Sequence, residues 1–281
     1  MRTITGKSNS RRRLGALCAL AVGFAAAGSE IAAAAEPVPN SMAALGDSIT
    51  RAFSDCGTIG DCPNESWSTG GDPMVDSQYL RLLAINPAIA GHNDNDAVSG
   101  SKVNTLADEA AVAVAAKVDY VTILIGANDA CADTVADMTP VTTFRGDFKQ
   151  ALDLLSTNLP NARVFVSSIP DIYRLWQLAS PIPQARPIWK LARVCQSMLA
   201  HPSSMRPADM ARRQAVLQRV IDYNTQLAQE CALHAHCRFD GDRVFNHPFS
   251  LSDIGTLDYF HPSIQGQKVL AGVTWRAGFN W

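Results

Sequence analysis

The sequence contains few charged residues. Asp, Glu, Lys and Arg make up 18% of the 281 residues, below the roughly 25% that is usual for globular proteins. A disordered, solvated chain would be richer in charge, whereas apolar residues at 47% are enough to build a core. The 18 glycines and 15 prolines are ordinary levels, which excludes collagen-like and low-complexity chains. The composition therefore predicts a globular protein.

A basic surplus is also missing. The chain has 24 Lys and Arg against 26 Asp and Glu, for a formal net charge of −2. Proteins that bind nucleic acid through bulk charge carry excess basic residues to neutralise phosphates. We therefore expect no nucleic-acid partner, and the specificity of the protein has to come from a local site.

The N-terminal apolar run is too short to cross a bilayer comfortably, which takes about 20 residues. It covers residues 14 to about 28, follows a basic head, and is followed by alanines that end at Ala35. These three features together are typical of a secretory signal peptide, and the arginines at 11–13 also match a twin-arginine export signal loosely. We predict a signal peptide over residues 1–35 and a single exported domain over residues 36–281. The alternative is a buried N-terminal helix.

Cysteine is scarce, with seven residues in the chain. Apart from Cys18 in the predicted signal peptide they are even in number, which suggests disulfides in an exported protein. We favour Cys56–Cys62, Cys131–Cys195 and Cys231–Cys237, because two of these are close pairs that local loops can close and the third is what remains. The sequence does not rank the other pairings. A zinc site at residues 234–237 is the alternative, disfavoured because no second ligand pair lies at the required spacing.

Short apolar or β-branched runs that stop near Gly or Pro predict strands. These runs cover residues 42–45, 96–98, 119–125, 162–169 and 237–240. Apolar residues at helical spacing, or an alanine-rich run, predict helices over 105–117, 144–159, 210–233 and 262–276, the last with Pro262 in its first turn. Strands that alternate with helices are typical of a parallel sheet covered on both faces. The fold class is therefore predicted to be α/β.

One long segment, residues 171–207, does not fit this alternation. It contains several Trp and Leu residues among prolines and leaves the carboxyl end of a predicted strand. Open α/β sheets bind ligands at that end, so the segment could cover substrate or contact an interface. Simple packing over the sheet edge explains its apolar residues equally well, and the sequence leaves both readings open.

Three short motifs are expected at one rim of the sheet. Ser48 follows the first predicted strand, where a turn can expose a hydroxyl. Asn128 follows the third, and its amide is a neutral donor suited to a developing oxyanion. Gly100 follows the second and offers a backbone N–H for the same purpose. Each motif alone is also an ordinary turn.

A further motif, Asp258-x-x-His261, lies just before the last predicted helix and favours a catalytic site over a set of ordinary turns. A carboxylate three residues from an imidazole in a short turn can reach Nδ1, hold the tautomer and leave Nε2 free to take a hydroxyl proton. With a serine at the rim, these residues predict nucleophilic catalysis rather than isolated turns.

This set of motifs resembles the SGNH, or GDSL-type, serine hydrolases. Residues 46–48 match the nucleophile block, Gly100 stands at the glycine of the second block, residues 126–129 match the third, and residues 258–261 match the last. The resemblance spans residues 42 to about 272, nearly all of the predicted exported domain. It implies a flavodoxin-like three-layer α/β/α sandwich with five parallel strands.

The same resemblance implies a role for each motif residue. Ser48 is the nucleophile, His261 the general acid and base, and Asp258 the residue that orients it. The backbone N–H groups of Ser48 and Gly100 and the Asn128 side chain form the oxyanion hole. No metal or organic cofactor is implied.

A finer resemblance concerns the substrate. Residues 66–72, 86–87 and 126–131 look like the phospholipase B-like branch, whereas Pro262 and Ser263 depart from that branch's last block. We expect a secreted esterase or lipase acting on lipid or (lyso)phospholipid-like esters, monomeric and in transient contact with lipid interfaces. The alternatives are a carbohydrate acetylesterase of the same fold and a non-catalytic secreted binding module.

Overall fold

The computed structural model describes residues 37–281, and the predicted signal peptide lies outside them. A five-stranded parallel sheet forms the centre, in the order β2-β1-β3-β4-β5. The strands are β1 (Met42–Gly46), β2 (Asn93–Asn95), β3 (Tyr120–Leu124), β4 (Arg163–Val166) and β5 (Cys237–Phe239). The predicted α/β class and the five-stranded parallel sheet are confirmed.

Helices connect the strands and cover the sheet. The α-helices of the described residues are α1 (Gln78–Ile85), α2 (Leu106–Ala116), α3 (Ala127–Ala130), α4 (Val141–Asn158), α5 (Ile172–Ala179), α6 (Ala185–Leu191), α7 (Gln196–Leu199), α8 (Pro207–Cys231) and α9 (Ile264–Ala277). Short 3₁₀ helices lie at Pro63–Glu65, Pro87–Ile89, Val103–Thr105, Val135–Asp137 and Leu251–Asp253.

The two faces of the sheet bury separate clusters, because successive side chains of a strand point to opposite faces. Leu45, Ile123 and Val166 pack with residues of α2, α4 and α8 on one face. Tyr120 and Phe165 pack with residues of α1 and α9 on the other. The central strands are buried on both sides, which explains their nearly continuous apolar sequence. The expected three-layer sandwich is confirmed.

The second strand lies three residues earlier than predicted, at Asn93–Asn95 rather than 96–98. It is an edge strand whose side chains are partly exposed, so its sequence carries no apolar signal. The apolar residues that suggested a strand still run beside β1, since the Asp96 and Val98 N–H groups donate to Ala44 and Gly46 at 2.9 and 3.0 Å. The prediction was based on the apolar residues, whereas the regular pairing with β1 lies over Asn93–Asn95.

The last helix begins after Pro262 rather than at it. Ser263 is the N-cap of α9, and its hydroxyl accepts a hydrogen bond from the Gly266 N–H. Pro262 instead pairs with Ile254 in an isolated antiparallel bridge. Placing Pro262 in the first turn was wrong, because the serine hydroxyl satisfies a free N–H of the first turn and thereby sets the boundary.

Disulfides join the three cysteine pairs expected from the sequence, Cys56–Cys62, Cys131–Cys195 and Cys231–Cys237. Because the Cys237 sulfur is bonded to Cys231, it is not available as a ligand for the alternative zinc site. Within residues 37–281 no group of three or more His, Cys, Asp or Glu is placed to hold a metal ion. Over the same residues, no helix is both long and apolar enough to cross a membrane.

The segment over residues 171–207 folds into α5, α6 and α7 and is anchored at several points. Trp176 and Trp189 are buried. The Trp176 indole donates to the Pro202 carbonyl at 2.8 Å, and the Arg213 guanidinium lies 4.3 Å from its ring centroid. The disulfide at Cys195 ties the segment to the end of α3. The two tryptophans therefore serve packing, as one of the two sequence readings proposed.

Candidate active site

Two glycines turn the chain at the carboxyl ends of the neighbouring strands β1 and β3. Gly46 has φ +141°, and a Cβ there would lie 2.1 Å from the Leu124 carbonyl oxygen. Gly126 has φ +119°, and a Cβ there would lie 2.5 Å from the Ile169 side chain. Only glycine tolerates such positions, and these turns bring Ser48 and Asn128 to one rim.

Ser48, His261 and Asp258 form a hydrogen-bonded series at this rim. The Ser48 Oγ lies 2.8 Å from His261 Nε2, and His261 Nδ1 lies 2.7 Å from Asp258 Oδ2. The hydroxyl and the imidazole are separated by 213 residues of sequence. A base held at this distance can take the hydroxyl proton when the oxygen attacks a carbonyl carbon.

Asp258 shapes the turn that presents the imidazole. Its Oδ1 accepts hydrogen bonds from the backbone N–H groups of Phe260 and His261 at 2.8 and 3.0 Å, which leaves Oδ2 for the ring. Tyr259, which follows Asp258 in this turn, adopts φ +54°, and its carbonyl accepts a 3.2 Å hydrogen bond from the Trp189 indole. Burial alone would raise the pKa of Asp258, but these hydrogen bonds and the imidazole outweigh it and hold the pKa below its usual value.

Neutral hydrogen-bond donors lie on the neighbouring turns. One N–H of the Asn128 amide donates to the Ser101 carbonyl at 2.9 Å, and an amide carries a second. The backbone N–H groups of Ser48 and Gly100 have no acceptor among residues 37–281. Gly100 has φ +86° and lies outside the set of residues that line the pocket described next.

A pocket with largely apolar walls opens beside Ser48, Asn128 and His261. One wall is α5, so the segment that begins at residue 171 contributes to the pocket as well as to the core. The apolar residues of the lining are Ile49, Ala127, Pro170, Ile172, Leu175, Leu178, Phe249, Ile254, Phe260, Pro262 and Leu270. Such a lining suits an acyl chain, because burial of each CH₂ group contributes about 0.8 kcal/mol.

A buried carboxylate joins two of the turns. Asp129 Oδ2 accepts a hydrogen bond from the Val103 N–H at 3.0 Å, and its Oδ1 accepts one from the Thr139 hydroxyl at 2.7 Å. Burial raises the pKa of Asp129. The turn that carries Asn128 is thereby connected to the chain that follows Gly100.

Two further buried acids contact the turn that carries Ser48. Glu109 Oε2 accepts the Gly46 N–H at 2.7 Å, and Asp47 Oδ1 accepts the Ile49 N–H at 2.9 Å. Burial raises the pKa of both carboxyls to about 7. Sequence reasoning missed Glu109. The sequence indicates this residue only through its spacing, because Glu109 shares a helix face with the buried Leu106 and alanines of α2.

These raised pKa values predict a stability that falls as the pH rises. In the unfolded chain, Glu109 ionises near pH 4 to 4.5, whereas in the folded protein it holds its proton to about pH 7. The unfolded state therefore loses protons first between these values, and the free energy of unfolding decreases over that window, by up to about 3 kcal/mol for one such group. Glu109→Gln keeps an acceptor for the Gly46 N–H and removes the titration, so its decrease is expected to be smaller.

Urea unfolding at pH 5 and pH 8 measures this difference. Asp108→Asn is the matched control, because Asp108 is the exposed neighbour of Glu109 on α2. The control should follow the wild type. An identical loss of stability in Glu109→Gln and the wild type would contradict the assignment.

The fold is an α/β/α sandwich that carries a serine, a histidine and an aspartate, hydrogen-bonded in series, at the carboxyl edge of its sheet. The chain belongs to the GDSL-like lipase/acylhydrolase family, whose model matches residues 42–272. The family predicted from the motifs is therefore confirmed.

Two mammalian proteins are similar in sequence. Membrane-associated phospholipase B1 of Rattus norvegicus is 27% identical over 224 residues, which cover 67% of this chain and 15% of the rat protein. The Mus musculus protein of the same name is 29% identical over 193 residues, covering 56% of this chain and 13% of the mouse protein. The chain therefore spans only a small part of the length of these relatives.

A solved structure shows the same fold. An acetylxylan esterase from Geobacillus stearothermophilus, solved as a catalytic mutant, aligns with a TM-score of 0.51 and 16% identity, covering 88% of this chain and 97% of that chain.

Proposed function

We propose that the protein is an exported serine esterase or lipase that hydrolyses lipid or (lyso)phospholipid-like esters through an acyl-Ser48 intermediate. The observation that carries this proposal is the hydrogen-bonded series Ser48, His261 and Asp258 at the mouth of a largely apolar pocket. The similarity to proteins named phospholipase B1 supports the lipid class.

Acylation begins when Ser48 Oγ attacks the ester carbonyl carbon and His261 Nε2 takes the hydroxyl proton. The carbonyl oxygen becomes an oxyanion, which the N–H groups of Ser48 and Gly100 and the Asn128 amide stabilise. The tetrahedral intermediate then expels the alcohol, which leaves with the proton from His261. Asp258 accepts the hydrogen bond of Nδ1–H and stabilises the imidazolium that forms in between.

Deacylation repeats these steps with water. His261 Nε2 takes a proton from the water as its oxygen attacks the acyl carbon. The second tetrahedral intermediate then expels Ser48 Oγ, which regains the proton, and the free acid leaves. His261 Nε2 takes up and returns the proton in each step of the cycle.

Export is supported by two independent features. Residues 1–35 have the pattern of a signal peptide, and the domain that follows carries three disulfides. Disulfides persist in oxidising compartments outside the cytosol. We place the exported domain at residues 36–281.

An ester panel tests the substrate class. Acetyl, octanoyl and palmitoyl p-nitrophenyl esters should be compared with lysophosphatidylcholine, and kcat/KM should increase from acetyl to octanoyl because the apolar pocket buries the added CH₂ groups. Activity confined to acetyl esters would contradict the lipid assignment and favour the carbohydrate acetylesterase. A fluorophosphonate probe should label Ser48, and a protein that hydrolyses none of these esters and stays unlabelled would be a binding module.

Asn128→Ala should lower kcat by about 10²–10³-fold with little change in KM, because the amide would stabilise the oxyanion more than the bound ester. Steady-state kinetics with p-nitrophenyl octanoate measures this split. Asn93→Ala is the control, since Asn93 also donates one side-chain hydrogen bond to a backbone carbonyl, that of Thr69 at 2.8 Å. A loss in Asn128→Ala no greater than in the control would reduce Asn128 to a turn residue.

A further inference from the structure

Arg174 places a guanidinium in the apolar wall of the pocket. It lies on α5 together with the pocket residues Leu175 and Leu178. Its Nε donates to the Phe249 carbonyl at 3.1 Å, which orients the planar group. Its two terminal nitrogens have no hydrogen-bond or ion-pair partner among the described residues. The pocket therefore contains an oriented cation with free donors.

The carboxylates of the pocket are engaged elsewhere. Asp171 Oδ1 accepts the N–H groups of Tyr173 and Arg174 at 2.8 and 3.1 Å, as the N-cap of α5. Asp253 Oδ2 accepts the N–H and the hydroxyl of Ser250 at 2.7 and 2.8 Å. Neither forms an ion pair with Arg174 among residues 37–281. Burial raises the pKa of Asp171, and its hydrogen bonds and the nearby Arg174 charge oppose that effect. The terminal nitrogens of Arg174 stay free to donate to a ligand.

The surrounding chain carries charge of one sign. No Asp or Glu occurs between Asp171 and Asp209, although acidic residues outnumber basic ones in the whole sequence. The basic residues of this stretch are Arg174, Arg186, Lys190, Arg193 and Arg206. Of these residues Arg174 lines the pocket, whereas Arg193 is ion-paired with Asp133 at 2.7 Å.

We propose that Arg174 binds the phosphodiester of a (lyso)phospholipid substrate while the acyl ester lies at Ser48. This inference rests on the proposed function and adds to it the chemical group that is recognised. A guanidinium offers paired N–H donors that match two phosphate oxygens, and such charge-assisted hydrogen bonds are stronger than neutral ones. Leu175 and Leu178, on the same helix, provide an apolar surface for the acyl chain beside the phosphate.

Two substrates that share the acyl chain and differ in the phosphate test this role. 1-Palmitoyl-lysophosphatidylcholine and 1-palmitoylglycerol should be presented in the same detergent micelles. In Arg174→Gln we expect kcat/KM for the lysophospholipid to fall by about 10- to 100-fold, mainly through KM, with less than a twofold change for palmitoylglycerol. Arg174→Lys should recover part of the loss, because it keeps the charge without the planar fork.

Binding without turnover gives a second readout. In a Ser48→Ala background, Arg174→Gln should weaken lysophosphatidylcholine binding by a similar factor. Lys190→Gln is the control for loss of a positive charge, since Lys190 is exposed on α6 and does not line the pocket. It should change neither substrate's kcat/KM by more than twofold.

Three results would overturn the inference and leave the esterase assignment intact. They are equal losses on both esters in Arg174→Gln, no loss on either, and a wild type that hydrolyses palmitoylglycerol but not the lysophospholipid. A fourth result would also overturn it: if inorganic phosphate inhibits palmitoylglycerol hydrolysis and the enzyme shows no preference for the lysophospholipid, Arg174 is a site for free phosphate. Failure of the proposed function looks different, because then no ester is hydrolysed and Ser48 is not labelled.

Discussion

Ser48→Ala should abolish ester hydrolysis, with kcat for p-nitrophenyl octanoate falling by about 10⁶-fold, the loss found when a serine nucleophile is removed. The methyl group cannot form the acyl intermediate, and His261 then has no hydroxyl to deprotonate. Folding should be preserved, because the Ser48 hydroxyl contacts the rest of the site through one hydrogen bond to His261. The measurement is steady-state turnover together with a thermal melt.

Ser54→Ala is a matched control for this substitution. Ser54 and Ser48 are both 8% exposed, and the Ser54 hydroxyl has no hydrogen-bond partner among the described residues. The control loses a hydroxyl of equal burial a few residues away, so it should keep near wild-type kcat and a similar melting temperature. Turnover retained by Ser48→Ala at the level of Ser54→Ala would remove Ser48 from the mechanism.

The core of the fold could be predicted because its central strands are buried on both faces. β1, β3 and β4 read as apolar runs, and the glycines at 46 and 126 mark the ends of β1 and β3. The edge strand β2 has the sequence Asn-Asp-Asn, which carries no such signal. Its position follows from pairing with β1, a long-range constraint that local composition does not contain.

The site also contains residues that could be predicted from the sequence and residues that could not. Asp258 and His261 are close in sequence, so their hydrogen bond could be anticipated from spacing. The role of Arg174 could not be predicted, because its guanidinium is oriented by the Phe249 carbonyl, which is 75 residues away in the sequence. Glu109 likewise became significant only when α2 packed against the Gly46 turn. Short-range chemistry is readable from the sequence, whereas the packing that surrounds it is not.

Asp258→Asn should lower kcat by about 10⁴-fold while leaving the fold intact. The amide oxygen can still accept the Phe260 and His261 N–H groups, so the turn is kept. The amide NH₂ then faces Nδ1 and donates to it, which places the ring proton on Nε2, the atom that has to accept the Ser48 proton. The base is thus held in the wrong tautomer. In the wild type the lowered pKa of Asp258 keeps the carboxylate ionised at neutral and mildly acidic pH, so this loss should persist across that range.

Asp72→Asn separates the electrostatic role from the turn. Asp72 Oδ1 accepts the Met74 N–H at 2.7 Å, two residues on, as Asp258 Oδ1 does with Phe260. The same chemical change therefore tests a carboxylate that shapes a turn without orienting an imidazole, and kcat should stay within about twofold of the wild type. If Asp258→Asn also lost less than about tenfold, its effect would be that of a turn residue. A large and selective loss would instead assign the carboxylate to the tautomer and charge of His261.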